Sequence, residues 1–362
     1  MKTIRLIELF AGYGSQAMAL KRLGLPFEHH FVCEFDKYAI KSYNAVHGTD
    51  FPTIDIRDVH AADLAITDRD RFTYLLTYSF PCTDLSIAGK MQGMSRDAGT
   101  RSGLLWEVER ILKECGENLP QILMMENVPQ VHGKKNIKDF AAWVSFIDKL
   151  GYKSKWKDLN AKDYGIAQNR DRCFMVSWLG SDVNFNFPKP RELNKRLRDY
   201  LDDEVVTTYE ERDGVFEKSN RVYLSEGISP TITSASADEK ILVKDRPVCL
   251  NSKGGRGGVE GLQPSLQDRI YSTEAVSVAI ATGYHPQYLT TNRIRKLTES
   301  ECLRLMGVAE ADIVKIRETV SPTQCYKQAG NSIVVDVMVA IFDNLFNDKD
   351  EMPGQMTIYD YL

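Results

Sequence analysis

The residues best suited to chemistry in this chain begin with one cysteine. Cys82 stands in Tyr78-Ser79-Phe80-Pro81-Cys82-Thr83-Asp84-Leu85-Ser86, directly after an apolar run that reads as a buried strand. A cysteine is most often a small buried hydrophobe. This one follows a proline in a polar loop, where a thiolate would be a strong nucleophile that can also leave again. Two further polar groups fall at the ends of other strand-like runs. Met125-Glu126-Asn127-Val128 closes one, and Gln168-Asn169-Arg170-Asp171-Arg172 precedes another. A nucleophile, a carboxylate and two guanidiniums at neighbouring strand ends form the outline of an α/β active site.

A second constellation lies nearer the start. Glu8-Leu9-Phe10-Ala11-Gly12-Tyr13-Gly14-Ser15 leaves the first strand and enters a helix. Glycines there let the backbone turn tightly and approach a ligand, and the helix N-terminus favours negative charge. Glu34 ends the second strand, where a carboxylate can accept both ribose hydroxyls. Asp55, in Ile54-Asp55-Ile56, falls where a third strand would end, within reach of an adenine amino group. Together these three features imply an adenosine-containing cofactor, and on their own they suit NAD as well as any other.

Strand-like runs at Ile4–Leu9, His30–Phe35, Phe72–Phe80, Gln121–Met125 and Cys173–Trp178 must position these groups. Leu104, Leu105, Val108, Ile111 and Leu112 recur at helical spacing before Gly116, and Phe140, Val144, Ile147 and Leu150 do so before Gly151. Such alternation predicts a mostly parallel sheet with helices on both faces. The pattern breaks at Phe187-Pro188-Lys189-Pro190; a Gly-, Ser- and Thr-rich stretch with short β-like runs continues to about Arg293, and a helical stripe returns over Asn331–Phe346. The expected division is a catalytic domain over 1–187 and 321–362, with 188–320 inserted as a smaller β-rich domain and hinge. Within the insert, Arg221-Val222-Tyr223 with Glu226, Ser229 and Ile232 is echoed by Arg269-Ile270-Tyr271 with Glu274, Ser277 and Ile280, which predicts two copies of one β-hairpin unit.

Composition excludes several classes. With 362 residues, 43% hydrophobic, the chain can bury a large core, and its mean hydropathy is −0.32. No run reads as the roughly 18 apolar residues that span a membrane, and Glu8 interrupts the only N-terminal candidate for a signal peptide. None of the seven cysteines makes a CxxC pair, so neither a disulfide framework nor a zinc site is expected, and a reducing cytoplasm fits. The net charge of −4 leaves any nucleic-acid affinity to local basic patches.

Taken in order, these motifs resemble those of the C5-cytosine DNA methyltransferases, from Thr3 to about Phe346. The FAGxG turn, Glu34, Asp55, the Pro-Cys dipeptide, Glu-Asn-Val and the QxRxR stretch are joined by Arg295-Lys296-Leu297-Thr298-Glu299 and Gly330-Asn331-Ser332. Gly99-Thr100-Arg101-Ser102-Gly103-Leu104-Leu105-Trp106 is further similar to bacterial enzymes of short CG-type sites. The resemblance implies a SAM-dependent, Rossmann-like fold in which S-adenosyl-L-methionine is bound by Phe10, Ala11, Gly12, Gly14, Glu34, Phe35, Asp55, Ile56, Pro81, Asn331 and Ser332. It implies that Cys82 adds to carbon 6 of cytosine, with Arg172 favouring the thiolate, whose free pKa is about 8.5. Glu126 would hold N3 and the exocyclic amine, and Arg170 would anchor a loop or a phosphate. No resident metal is expected.

The target atoms are hidden in a duplex, so the base must be flipped out. Ser86 to Thr100, with Ile87, Lys90 and Arg96, resembles the loop that closes over it. Two departures appear: Thr83 replaces the usual glutamine after the nucleophile, and Ile87 and Ala88 stand where relatives insert polar side chains. The insert corresponds to a target-recognition domain. Its entry carries Lys189, Arg191, Lys195, Arg196 and Arg198, and a Gly-rich loop carries Lys253 and Arg256, all suited to phosphate. Ser229-Pro230-Thr231-Ile232-Thr233 resembles the Thr-hydrophobe element near the flipped base, and the echo at Ser277–Ala281 lacks its proline and threonines. Double-stranded DNA is the expected partner, with a restriction endonuclease system alongside, in a monomeric, cytoplasmic, nucleoid-associated enzyme with no membrane contact. Gln355–Leu362 resembles peptides that dock on replication sliding clamps. Rival expectations are a tRNA cytosine-5 methyltransferase of the same family, a catalytically inactive DNA-binding regulator, and an NAD-dependent oxidoreductase.

Overall fold

The computed structural model describes residues 1–81, 101–181, 183, 185–202, 270–272, 277–278, 287–289 and 294–347, with backbone alone for 101–102 and for the strands between 270 and 296. The strands of the first half are β1 (Thr3–Leu9), β2 (Phe27–Cys33), β3 (Phe72–Tyr78), β4 (Ile122–Asn127), β5 (Lys153–Asn160), β6 (Gln168–Asn169) and β7 (Asp171–Trp178). Six of them form one sheet in the order β2-β1-β3-β4-β7-β5. β2, β1, β3 and β4 are mutually parallel, and β7 runs antiparallel to both β4 and β5. The connection from β5 to β7 is short, which permits an antiparallel return but no helical crossover.

Side chains alternate between the two faces of each strand. Ile4 and Leu6 join Leu75, Met124 and Val176 on one face, and Ile7 and Leu9 join Leu76, Leu123 and Met175 on the other. α1 (Ser15–Arg22) covers the first face, while α2 (Lys37–His47) follows β2. α3 (Leu105–Cys115) and α4 (Ile137–Lys149) cover the second face through Leu105, Val108, Ile111 and Leu112 and through Phe140, Trp143 and Ile147. These are the two stripes legible in the sequence, stopped near Gly116 and Gly151 as expected.

Four short strands belong to the insert: β8 (Ile270–Ser272), β9 (Ser277–Val278), β10 (Gln287–Leu289) and β11 (Ile294–Lys296). The expected hairpin is not what the second copy of the repeat forms. β8 pairs in parallel with β10, and β9 pairs in parallel with β6, Gln168 opposite Ser277. The first copy lies outside the described residues.

The chain then forms α5 (Glu299–Arg304), α6 (Glu310–Thr319), α7 (Pro322–Asn331) and α8 (Val335–Asn347). Thr298 opens α5 with a capping box: its hydroxyl accepts from the Glu301 amide, and Glu301 Oε2 accepts from the Thr298 amide. The other oxygen of Glu301 accepts from the Asp202 amide at 2.8 Å, and Arg304 pairs with Asp202 at 2.6 Å. The chain entering the insert is thus tied to the chain leaving it. Leu197 and Tyr200 on one side, and Leu297, Leu303 and Met306 on the other, pack into the same core as Ile4 and Leu6.

Three expectations need correction. No third strand ends at Asp55; the residue caps a short 3-10 turn, Ile56–Asp58. The helical stripe expected over Asn331–Phe346 is α8, and it starts later, at Val335, because Asn331 is the last residue of α7. Taken together with the break between them, α7 and α8 (Pro322–Asn347) are long and apolar enough, by length and composition only, to cross a membrane, contrary to the sequence reading. Val335, Val337, Met338, Ile341 and Phe342 are buried in the core, so the apolarity of α8 is that of a central helix.

Candidate active site at the carboxyl edge of the sheet

β4 and β7 are antiparallel neighbours, with Glu126 opposite Phe174 and Asn127 opposite Cys173. Glu126 and Arg172 therefore emerge on the same face, and Arg172 Nε lies 3.2 Å from Glu126 Oε1. Glu126 is almost wholly buried. Burial raises its pKa, and the charges of Arg172 and then Arg170, with the Ser79 hydroxyl beside it, oppose the rise. The next residue points the other way. Asn127 Nδ2 donates to the Phe80 carbonyl at 2.9 Å, pinning the chain two residues before Cys82. The sequence carried this contact only as the adjacency of Glu and Asn, and its role was not foreseen. Pro81 is the last described residue of that segment; Cys82, Ser86, Ile87, Lys90 and Arg96 lie outside the described residues, as do Thr231, Ile232, Lys253, Arg256 and 355–362.

Arg170 is buried and is not a surface phosphate ligand. Its Nη2 donates to the carbonyls of Gly330 (3.0 Å) and Ser332 (2.7 Å), which anchors the break between α7 and α8. The Ser332 hydroxyl shares a 2.5 Å hydrogen bond with the Tyr13 hydroxyl of the Gly-rich turn. Three motifs far apart in sequence thus meet: QxRxR, Gly-Asn-Ser and FAGxG.

The turn itself is tight. Phe10 has φ 62°, Gly12 59° and Gly14 83°. Left-handed backbone costs a phenylalanine about 1 kcal/mol or more, which persists where the surroundings impose it. At Gly14 a side chain is excluded outright, since a Cβ would sit 2.3 Å from His47 Nε2. Gly14 is also the N-cap of α1 and has no side chain to satisfy the amides of the first turn. Glu34 accepts from the Gly12 amide at 2.8 Å and the Asp36 amide at 2.7 Å, so its carboxylate braces the turn against the start of α2. Burial raises its pKa, and the same amides pull it back. The neighbouring Phe35 ring is 71% exposed, and Ile56 and Ala11 are buried. Asp55 lies close by, since the Ile54 amide donates to the Glu34 carbonyl; its carboxylate is held by Arg57. Lys327 of α7 pairs with Asp36 at 2.5 Å, tying the last helices to this edge.

At the entry to the insert, Lys189, Arg191, Lys195 and Arg198 are exposed. Arg196 instead donates to the carbonyls of Leu193 and Lys195, closing a local turn. The five described cysteines, at 33, 115, 173, 302 and 325, are free thiols in the interior.

A sheet of this order, covered on both faces, with a glycine turn at β1 and a buried carboxylate beside an arginine at β4 and β7, defines a Rossmann-like methyltransferase domain. A family model for C-5 cytosine-specific DNA methylases matches residues 4–347. The chain belongs to that family. It is 32% identical to type II methyltransferase M.HhaI of Haemophilus parahaemolyticus, over 97% of this chain and 96% of the relative. It is 30% identical to type II methyltransferase M2.ScrFI of Lactococcus lactis subsp. cremoris, over 96% and 100%. The fold is shared with the crystal structure of the S. pombe Dnmt2 methyltransferase, at TM-score 0.63 and 19% identity, covering 95% of this chain and 98% of that one.

Proposed function

We propose that the chain is a DNA (cytosine-5-)-methyltransferase of the EC 2.1.1.37 class that attacks C6 of a flipped cytosine with Cys82. The observation that carries the reading is the buried Glu126–Arg172 pair at the sheet edge, one hydrogen bond away from the Pro81-Cys82 segment through Asn127. A carboxyl group with a raised pKa suits N3 of cytosine. As the thiolate adds to C6, negative charge develops on the ring, and a proton placed by Glu126 on N3 neutralises it. Arg172 lies on the Oε1 side of the carboxyl and holds it in place against the base. Arg172 also supplies the positive charge that favours a thiolate at Cys82.

S-adenosyl-L-methionine would supply the electrophilic methyl group. The residues present suit it: Glu34 keeps lone pairs for ribose hydroxyls, Phe35 is exposed where adenine would stack, and the start of α1 at Ser15 and Gln16 would receive a carboxylate, the Ala17 amide being taken by Glu8. Asp55 and Ile56 would border the adenine, and Pro81, Asn331 and Ser332 the methionine end. For DNA, Ser86, Ile87, Lys90 and Arg96 would close over the flipped base, and Thr231, Ile232 and Arg256 would contact the duplex from the recognition domain. In this division 1–187 and 321–362 form the catalytic domain, and 188–320 holds the recognition domain and the hinge. The enzyme would act as a cytoplasmic, nucleoid-associated monomer beside a restriction endonuclease, and Gln355–Leu362 would dock on a sliding clamp.

Bisulfite sequencing of plasmid DNA from cells expressing wild type and Cys82→Ala tests the reading. Protected cytosines in one sequence context, lost in the mutant, are the expected result. No protection from a folded wild type that binds the cofactor would sink it.

A further inference from the structure

Behind the Glu126–Arg172 pair, on the opposite face of the sheet, lies a polar cluster that the reaction does not use. His132 Nε2 is 2.9 Å and 3.0 Å from the two oxygens of Asp158. The Cys173 thiol, fully buried, lies within 4.8 Å of the same carboxylate. The ring of His132 packs on Trp156, with centroids 4.6 Å apart, and against Phe140 at 6.1 Å.

The register shows what this cluster joins. Asp158 of β5 is opposite Cys173 of β7, and Cys173 is opposite Asn127 of β4. Asn127 in turn holds the Phe80 carbonyl. One polar row therefore crosses the sheet from β5 to the segment that leads to Cys82. The residues on the other face, Arg172 and Glu126, are the chain neighbours of Cys173 and Asn127. His132 closes the row, because it ends the 3-10 turn Pro129–His132 that follows Glu126-Asn127-Val128.

Resting on the methyltransferase reading above, we infer that His132 and Asp158 are positioning residues: their pairing fixes the turn after β4 against β5 and so holds Glu126 at the height that meets Arg172 and the base. Sub-ångström placement matters here because the proton on Glu126 must reach a ring nitrogen, and a displacement of about 1 Å costs on the order of a hundredfold in rate. A loosened latch is expected to move Glu126 by less than that, which sets the size of the effect sought.

The test is single-turnover methyl transfer to duplex DNA by His132→Phe, His132→Gln and Asp158→Leu, with cofactor affinity, DNA affinity and thermal stability measured alongside. Phenylalanine keeps the ring between Trp156 and Phe140 and removes the hydrogen bond. We expect His132→Phe and Asp158→Leu to slow methyl transfer by about tenfold, with cofactor and DNA affinity unchanged. His132→Gln, which retains a donor, should recover most of the rate. Wild-type rates in folded His132→Phe and Asp158→Leu would overturn the inference, as would cofactor affinity falling in step with rate. The three donor atoms also lie within 4.8 Å of one another; a wild-type Tm lowered by EDTA and restored by zinc would make them a metal site instead. A wild type inactive on DNA would fail the methyltransferase reading itself, a result distinct from normal variants of an active enzyme.

Discussion

Arg170 Nη2 donates to the main-chain carbonyl of Ser332 at 2.7 Å, across 162 residues of sequence. Its second acceptor, the Gly330 carbonyl, lies on the same segment, and Ser332 passes the contact on to Tyr13 of the Gly-rich turn. An arginine that sequence offers for substrate or for a loop is therefore committed to holding the catalytic sheet and the last helices together.

The consequence is a prediction about Arg170→Ala. The two carbonyls lose a charged donor in a buried setting, which costs about 1–3 kcal/mol. Thermal stability should fall accordingly, and cofactor affinity measured by calorimetry should fall with it, because the Tyr13–Ser332 contact borders the turn. A variant with wild-type cofactor affinity would show that the anchor and the cofactor site are independent.

Glu126 and Arg172 can be separated by pH. If protonated Glu126 is the working form, the rate falls as pH rises through its pKa. Burial raises that pKa and Arg172 lowers it. Arg172→Gln removes the opposing charge, so the pKa of Glu126 should rise further and the alkaline limb of the methyl-transfer profile should move to higher pH. Glu126→Gln should abolish that limb and slow transfer by about 10²–10⁴-fold, the usual worth of a positioned acid. A limb that stays in place in both variants belongs to another group.

Gly14→Ala combines two penalties. The backbone φ of +83° is poor for any L side chain, and the new Cβ would meet His47 Nε2 at 2.3 Å and Tyr43 Cε2 at 2.7 Å. Tyr43 is fully buried and half-buried His47 packs against it, with ring centroids 4.5 Å apart, so neither ring moves without the other. Binding of S-adenosyl-L-methionine in equilibrium dialysis should be lost and the protein destabilised by roughly 1–3 kcal/mol or more. Gly12→Ala differs in kind. Nothing lies within 4 Å of its Cβ, and only the φ of +59° opposes it, so it should retain more stability than Gly14→Ala.

How much of this was legible follows from what each residue must do. The strands of the central sheet announced themselves because both faces are buried, and Glu126 and Arg172 announced themselves by standing at strand ends. β5 did not, since Lys153, Lys155 and Lys157 make an edge strand read as a solvated charge run. Asp55 was placed on a strand that does not exist because Ile54 and Ile56 imitate one; Ile56 is instead buried on a 3-10 turn. The polar row from His132 to Asn127 was invisible because it is a matter of register between three strands, which no local pattern encodes. The pairing of Ser277–Val278 with Gln168–Asn169 was missed for the same reason.

The sequence also gave no sign that Glu8 is buried. Its carboxyl accepts from the Tyr43 hydroxyl at 2.5 Å, and burial pushes its pKa up to about 8 from 4.5. Between those two values the folded protein keeps the proton and the unfolded chain gives it up. Stability should therefore fall as pH rises through that window, by about 1.4 kcal/mol per pH unit at most. His47, pushed down to about 3, works in the opposite sense on the acid side. Its protonation on unfolding lowers stability below about pH 6.5, in wild type and variant alike, so it cancels from their difference. Glu8→Gln keeps an acceptor for Tyr43 and removes the titration, although its amide nitrogen gains no obvious partner. The readout is thus the slope rather than the absolute stability. Denaturant unfolding at pH 6 and pH 8 should show wild type losing about 2–3 kcal/mol more than Glu8→Gln over that interval. Parallel slopes would mean that Glu8 is already ionised in the folded protein, with the Tyr43 hydroxyl and the Ala17 amide sustaining a buried anion two residues before the Gly-rich turn.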